Sequence, residues 1–370
     1  DDFKTPIVID NGSSSIKAGL ATESNPSVIF PSIVGRPQYK QLTNDGGALY
    51  YGDAAQEKRD VLTLSHPVEH GVVKDWDDME LLWQHMFEDQ LRLEANEHPV
   101  LITEAPMNPK KNRETITQIM FENFNVPYLY VATEALLSLY ESGRTTGLVF
   151  DSGDGVSYSV PIYEGCVLDY AVQRLNLAGQ DLTQFLARAL NDRGSSFTTD
   201  ADMETVREIK ENLCFVTLDY DTLSVDEESV ETSYTLPDGQ VIKIGNERFR
   251  CPEVLFSPAM VGLDLAGIHK SISSCITSCD VDIRKELMQN VVLAGGNSQF
   301  KGLPERLKEE IEFETPSMCG KIRIHSPCSR INTIWRGGAI LASSPKFCRM
   351  CITSAEYEEF GPSIVNRRCL

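Results

Sequence analysis

Two short runs carry residues able to hold a polyphosphate and its cation. Asp10 opens Asp10-Asn11-Gly12-Ser13-Ser14-Ser15, and Asp151 opens Asp151-Ser152-Gly153-Asp154-Gly155. A phosphate chain needs several converging N–H donors and a close backbone approach, which Gly and Ser turns supply without bulky side chains. Gly12 with Ser13, Ser14 and Ser15 meets that need, as does the run from Gly153 to Gly155, and Lys17 adds a cation within reach of the phosphates. Asp10, Asp151 and Asp154 offer hard oxygens, directly or through water, to the Mg²⁺ or Ca²⁺ that accompanies a nucleotide. One such run alone would read as an ordinary Asx or type I′ turn. Two runs, each between strands, favour the phosphate reading.

A third run, Val291-Val292-Leu293-Ala294-Gly295-Gly296-Asn297-Ser298, takes an apolar strand into a double Gly and a helix start. A Gly pair there lets a flat base or ribose lie on the backbone. The spacing matches neither GxGxxG nor the Walker pattern, so the ordinary Rossmann and P-loop readings lack their fingerprint.

The elements around these runs follow from pattern. Ile7-Val8-Ile9 and Ile16 to Leu20 predict strand, tight turn, strand, and Gly147 to Phe150 with Val156 to Val160 predict the same device again. The two aspartates lie 151 − 10 = 141 positions apart. That separation predicts two similar halves facing one cleft, not a short solenoid repeat. Helices are expected over Asp77 to Gln90 after a cap-like Trp76-Asp77-Asp78, over Lys111 to Asn123, and over Thr133 to Ser142 before Gly143. Strands alternating with helices place the chain in the α/β class. Exposed loops are expected from Lys40 to Tyr50 and from Phe256 to Lys270; the apolar residues of the second are either core or a contact surface.

Composition bounds the partners. At 370 residues the chain exceeds the size at which one core stops growing. It holds 34 basic and 54 acidic residues, net −20, which disfavours a nucleic-acid partner and suits divalent cations or basic protein segments. No apolar stretch approaches the roughly 20 residues that span a bilayer, and the opening Asp1-Asp2 lacks a basic flank and apolar run. A soluble, unexported, cytoplasmic protein with no membrane partner is expected. The 10 cysteines then read as reduced thiols. Cys275 with Cys279 and Cys348 with Cys351 have spacings a zinc site can use, but they lack Gly-rich knuckles and a companion His, which favours small buried apolar residues.

The three phosphate and base runs, in this order, resemble the actin, hexokinase and heat-shock chaperone superfamily, and the stretches between them resemble the actin family. The matches are Phe30 to Pro37, Trp76 to Glu80, Thr103-Glu104-Ala105-Pro106 with Asn108-Pro109, Asn112-Arg113-Glu114, Gly143 to Gly147, Leu236 to Gln240 and Gly245 to Pro252. They cover essentially the whole chain. The resemblance implies two similar lobes, divided into four subdomains, around a nucleotide cleft. It implies a first lobe over 1–141 with a small subdomain at about 32–67 and a C-terminal segment from about 333 to 370, and a second lobe over 142–332 with an insert at about 178–268. It also implies bound ATP or ADP with Mg²⁺, head-to-tail filaments, a cytoskeletal place in the cell, and actin-binding proteins at a groove near Tyr140, Gly143, Leu341, Lys346 and Met350.

Carried over by position, Ser13, Ser14, Ser15 and Lys17 face the phosphates from one side, and Asp154, Gly155 and Val156 from the other. Gly179, Lys210, Glu211, Gly295, Gly296, Gln299 and Phe300 surround adenosine, and Asp10 and Asp151 hold the hydrated metal. The chain departs from the family at several of its working positions. Ser14 replaces a Gly, and Ile331 replaces a Lys near the base. Glu134 and Tyr158 stand where the family carries the Gln and His that order the attacking water. A carboxylate at Glu134 can orient water or accept its proton, whereas a phenol with an unperturbed pKa near ~10 donates a hydrogen bond but is no base at neutral pH. Slow or altered hydrolysis is the expectation. The loop from Gln38 to Tyr50 differs from the family pattern, and Ser344, Pro345 and Lys346 interrupt the apolar groove before Phe347 and Met350. Two readings follow: a filament-forming relative that uses ATP as an assembly timer, or a non-polymerising actin-related subunit or filament cap that binds nucleotide structurally. A small-molecule kinase of the superfamily is a remote third.

Overall fold

The computed structural model describes residues 4–38, 48–220, 230–316 and 320–369. Most of the loop from Lys40 to Tyr50 therefore lies outside the described residues. The chain divides into two compact units: Asp1–Thr145 with Glu164–Asp169 and Ile331–Leu370, and Thr146–Tyr163 with Tyr170–Arg330.

The first unit is built on β1 (Ile7–Asn11), β2 (Ser15–Leu20), β3 (Val28–Pro31), β4 (Val100–Glu104) and β5 (Tyr128–Thr133). Their order in the sheet is β5-β4-β1-β2-β3, with a short strand, Ile352–Thr353, beyond β5. β1, β4 and β5 run parallel, and β2 and β3 run antiparallel to their neighbours. The apolar runs of β1 and β4 are buried along nearly their whole length, because helices cover both faces of the sheet. These include α1 (Trp76–His85), α2 (Lys110–Glu122), α3 (Glu134–Glu141) and a C-terminal helix, Thr333–Ala342. The cap of α1 is Asp75, whose carboxylate accepts from the Asp78 N–H, one residue before the expected start. Beyond His85 the chain continues as a π-helical turn, Met86–Leu91, and stops at Arg92 in the left-handed region.

The second unit repeats the plan with β6 (Gly147–Ser152), β7 (Ser157–Tyr163), β8 (Gln173–Leu175), β9 (Val291–Ala294) and β10 (Ile324–His325). Its order is β10-β9-β6-β7-β8; β6, β9 and β10 are parallel, and β7 and β8 antiparallel. Strand order and sense therefore match those of the first unit. Helices α4 (Gly179–Asp192), α5 (Asp200–Leu213), α6 (Ile268–Ser278) and α7 (Leu303–Glu314) pack their apolar faces into this unit's core with Leu148, Phe150, Val291 and Leu293.

The stretch from Phe256 to Lys270 is more ordered than a loop: Pro258–Val261 forms a 3-10 turn, and α6 begins at Ile268. Met260, Val261 and Leu263 pack partly against the core, while Leu265 is exposed. Cys275, Cys279 and Cys351 are buried free thiols, the behaviour of small apolar residues. No described helix is long and apolar enough to cross a membrane.

Candidate functional site

The first hairpin is β1-turn-β2, closed by the Gly12 N–H donating to the Ser15 carbonyl at 3.2 Å, with Ser13 and Ser14 at the tip. Asp10 and Lys17 are cross-strand partners, and the Lys17 ammonium donates to Asp10 Oδ2 at 2.8 Å. Asp10 is only 1% exposed, and burying a charged group at that depth is costly without such a partner. Thr103, at the end of the adjoining β4, accepts from the Asn11 N–H at 3.0 Å and donates to Asp10 Oδ1 at 3.3 Å.

The turn's carbonyls are held from behind. Ser32 Oγ donates to the Gly12 carbonyl at 2.8 Å, and the Ser32 N–H donates to the Ser14 carbonyl at 3.0 Å. In a planar trans peptide the C=O and the next N–H point opposite ways, so these two bonds direct the N–H groups of Ser13 and Ser15 away from Ser32. The Gly71 N–H donates to Ser13 Oγ at 3.0 Å. Gly12 is required by space: a Cβ there would lie 2.8 Å from the Ser15 carbonyl oxygen. Glu134 is the first residue of α3, directly after β5, and Glu104 ends β4. Both stand at carboxyl ends of parallel strands, the edge of an open α/β sheet where ligands bind. Burial pushes the Glu104 carboxyl up, against the pull of Arg113 at 2.7 Å and Asn108 at 3.1 Å.

The second hairpin has the same frame. The Gly153 N–H donates to the Val156 carbonyl at 3.1 Å, leaving Asp154 and Gly155 at the tip. None of Gly12, Ser13, Ser14, Gly153, Asp154 or Gly155 has a positive φ, so neither turn is type I′. The Gly153 carbonyl accepts from the Gly179 N–H at 3.1 Å and Asn297 Nδ2 at 2.6 Å, and the Asp154 carbonyl accepts from the Gln180 N–H at 2.9 Å. Here too the carbonyls turn inward. Asp151 faces Tyr158 across the ladder, and Tyr158 faces Arg174 on β8, whose guanidinium carbon lies 5.6 Å from the centre of the Tyr158 ring. Tyr158 is 2% exposed.

Around this turn the second unit gathers the residues expected at adenosine. A Cβ on Gly179 would sit 3.0 Å from Asp154 Oδ1 and 3.1 Å from Asn297 Oδ1. The buried Lys210 ammonium donates to the Gly179 carbonyl and to Thr183 Oγ1, each at 2.9 Å. Exposed Glu211 accepts from Arg207 at 3.1 Å. Burial opposes the charge on Arg207, yet Glu204, Asp154 and Glu211 together raise its pKa above the usual arginine value. Gly295 takes φ +82°, and a Cβ there would meet the Ser152 carbonyl oxygen at 2.3 Å and Asp151 Oδ1 at 2.4 Å. Gly296 has open space where its Cβ would be, as a flat ring needs. The expected helix start is a 3-10 turn, Gly296–Gln299. Gln299 is exposed, and Phe300 is buried in the core.

A family model described as Actin matches residues 2–370. The chain belongs to the actin family. Proteins of this family generally bind ATP or ADP with a divalent cation, self-assemble and bind actin-binding proteins. Within this actin-family chain the first unit brings together Asp10, Gly12, Ser13, Ser14, Ser15 and Lys17. The second unit brings together Asp151, Asp154, Gly179, Lys210 and Gly295 with Gly296. Taken unit by unit, each hairpin has the chemistry that suits phosphate and a hard cation, an oxygen donor at its base and inward carbonyls, and the second unit adds room at Gly296. Tyr140, Leu341 and Met350 are half-buried on the first unit, with Gly143 and Lys346 exposed. Ser32, Thr103, Arg174 and Asn297 had no role assigned from sequence. Single Ser, Thr, Arg or Asn residues carry no local signal for a contact made far along the chain.

Proposed function

We propose that this actin-family chain binds ATP or ADP with a divalent cation, assembles with its own copies head to tail into filaments, and hydrolyses ATP slowly or in altered fashion. The observation that carries the nucleotide reading is the shared hairpin frame: a buried Asp at the base, a two-residue tip, and carbonyls bonded inward so that backbone N–H groups face the other way. Ser13, Ser14, Ser15 and Lys17, with Asp154, Gly155 and Val156, are the groups that would hold phosphates. Gly179, Lys210, Glu211, Gly295, Gly296, Gln299 and Phe300 are proposed for adenosine. A bound cation, held by Asp10 and Asp151 through water, would neutralise phosphate charge.

Turnover belongs to Glu134 and Tyr158. A Glu134 carboxylate can orient a water or take its proton. Tyr158 can donate a hydrogen bond, and an ordinary phenol is no base at neutral pH, so one base does the work of the family's usual pair. Slow phosphate release is the consequence.

The test is ultracentrifugation of the purified protein with Mg-ATP over a concentration series in salt, with phosphate release followed in parallel. Filament formation predicts a pellet above a threshold concentration. Protein that stays in the supernatant throughout rejects the filament claim, and release as fast as that of a conventional actin rejects the altered-hydrolysis claim. A second reading, a non-polymerising subunit or cap, draws support from exposed Lys346 beside the half-buried Leu341 and Met350, where a cation disfavours a purely apolar partner helix.

A further inference from the structure

We infer that Asn297 is a positioning residue: its carboxamide locks the phosphate-gripping turn at Asp154 to the Gly295-Gly296 turn and to the start of α4. The inference rests on the nucleotide reading above and gives a role to a residue that follows the Gly-Gly pair of the third run.

Asn297 is 6% exposed, inside the Gly296–Gln299 turn. Its Nδ2 donates to the Gly153 carbonyl at 2.6 Å and to Ser152 Oγ at 3.1 Å, which uses both amide hydrogens. Exchanging its oxygen and nitrogen would set a carbonyl against a carbonyl, so these contacts determine the amide orientation. The direction of the next bonds follows. Ser157 Oγ donates its one proton to the Leu177 carbonyl at 2.7 Å. The 2.8 Å contact between Ser152 and Ser157 is therefore Ser152 donating, and Ser152 is left to accept from Asn297. The result is a one-way chain: Asn297 to Ser152, Ser152 to Ser157, Ser157 to the Leu177 carbonyl. It starts at the Gly-Gly turn, crosses both strands of the hairpin and ends two residues before α4. Bonds aligned in this way polarise and strengthen one another.

The consequence for the site lies in one peptide plane. The Gly153 carbonyl and the Asp154 N–H belong to the same planar unit and point opposite ways. By holding that carbonyl, Asn297 aims the Asp154 N–H outward. The Gly179 N–H shares the carbonyl at 3.1 Å but approaches from α4, so without Asn297 one donor remains and the plane gains freedom to rotate.

The experiment measures displacement of a fluorescent ATP analogue by ATP and by adenosine, on the whole chain with Mg²⁺, for wild type, Asn297→Leu, Ser152→Ala and the double variant. Leu keeps the branched shape of Asn297, with somewhat more bulk, and removes both donors. Loss of a buried hydrogen bond at the phosphate side predicts about a tenfold weaker ATP affinity in Asn297→Leu, with adenosine affinity changed less than about twofold. Ser152→Ala, which breaks the next link, predicts a smaller loss of the same kind, and the double variant loses less than the product of the two. Equal losses for ATP and adenosine, or multiplicative losses in the double variant, would overturn the positioning role. Wild type that fails to bind ATP at all would instead overturn the nucleotide reading itself. If Asn297→Leu fails to fold, Ser152→Ala alone still decides through its ATP-to-adenosine ratio.

Discussion

The two hairpins share a ladder yet place their positive charge differently. Asp10 faces Lys17 and Asp151 faces Tyr158, and 17 + 141 = 158, so Tyr158 is the positional counterpart of Lys17. One strand further out, Lys17 faces Ile29 and Tyr158 faces Arg174. Along the ladder the first unit thus sets a lysine opposite the carboxylate, whereas the second sets a tyrosine there and an arginine opposite that tyrosine. Their supports differ as well. Ser32, 20 residues along the chain, holds the first turn, and Asn297, 144 residues along, holds the second. Repetition preserved strand order and turn length. The side chains that satisfy the buried groups were chosen anew in each unit.

The largest expected effect is at Gly295, where the second unit packs backbone against its hairpin and the first unit has the end of β4. Gly295→Ala adds a Cβ against Ser152 and Asp151 at a φ of +82° and ψ of 162°, a region nearly reserved for glycine. A loss of at least about 3 kcal/mol, or failure to fold, is expected. A urea midpoint equal to wild type would contradict the close approach.

Next comes the contrast between the cations. Lys17→Met takes the ammonium from the buried Asp10 carboxylate and should cost about 3 kcal/mol. Arg174→Met removes a guanidinium 5.6 Å from the centre of the Tyr158 ring, with its bond to Asn176 Oδ1, and should cost about 1 kcal/mol. Equal costs in chemical denaturation would erase the distinction drawn here between the hairpins.

The paired glycines sharpen it further. Gly12→Ala forces the new Cβ to within 2.8 Å of the Ser15 carbonyl oxygen and should cost about 1–2 kcal/mol. At Gly153 the nearest atom would be the Val156 carbonyl oxygen at 3.8 Å, with no positive φ. Gly153→Ala should be neutral, or stabilise by about 0.5 kcal/mol through the unfolded chain. If the two melt alike, the space argument is wrong.

An effect smaller than that at Gly12 is expected at Ser32→Ala. It removes the hydroxyl bond to the Gly12 carbonyl but leaves the Ser32 N–H on the Ser14 carbonyl, and should cost about 1 kcal/mol. Faster exchange of the Ser13 amide, compared with that of Ala18 in β2, is the readout. An unchanged Ser13 rate would show that the hydroxyl does not set that peptide plane.

How much of this was legible beforehand depends on distance along the chain. The strand-turn-strand frames at Asp10 and Asp151, the helices near Trp76, Lys110 and Glu134, and the strand into Gly295 were all readable from sequence. Alternation, β-branched runs and turn residues act over a few positions. Even there, tertiary context shifted details: α1 starts at Trp76 with Asp75 as its cap, its far end becomes a π turn, and the hairpin tips avoid the type I′ geometry their glycines suggest.

By itself, then, the amino-acid sequence determined two hairpins of one length, 141 residues apart, with a carboxylate at the base of each. Hydrogen-bond register and side-chain alternation are local, and a resemblance across the whole chain assigned their family. Only the tertiary structure decided that Gly12 is obligatory and Gly153 is not, that Tyr158 carries Arg174 on its ring, and that Asn297 holds the second turn. Those outcomes depend on which distant segment returns to meet a buried carbonyl or an open edge, and no pattern of neighbouring residues encodes that meeting.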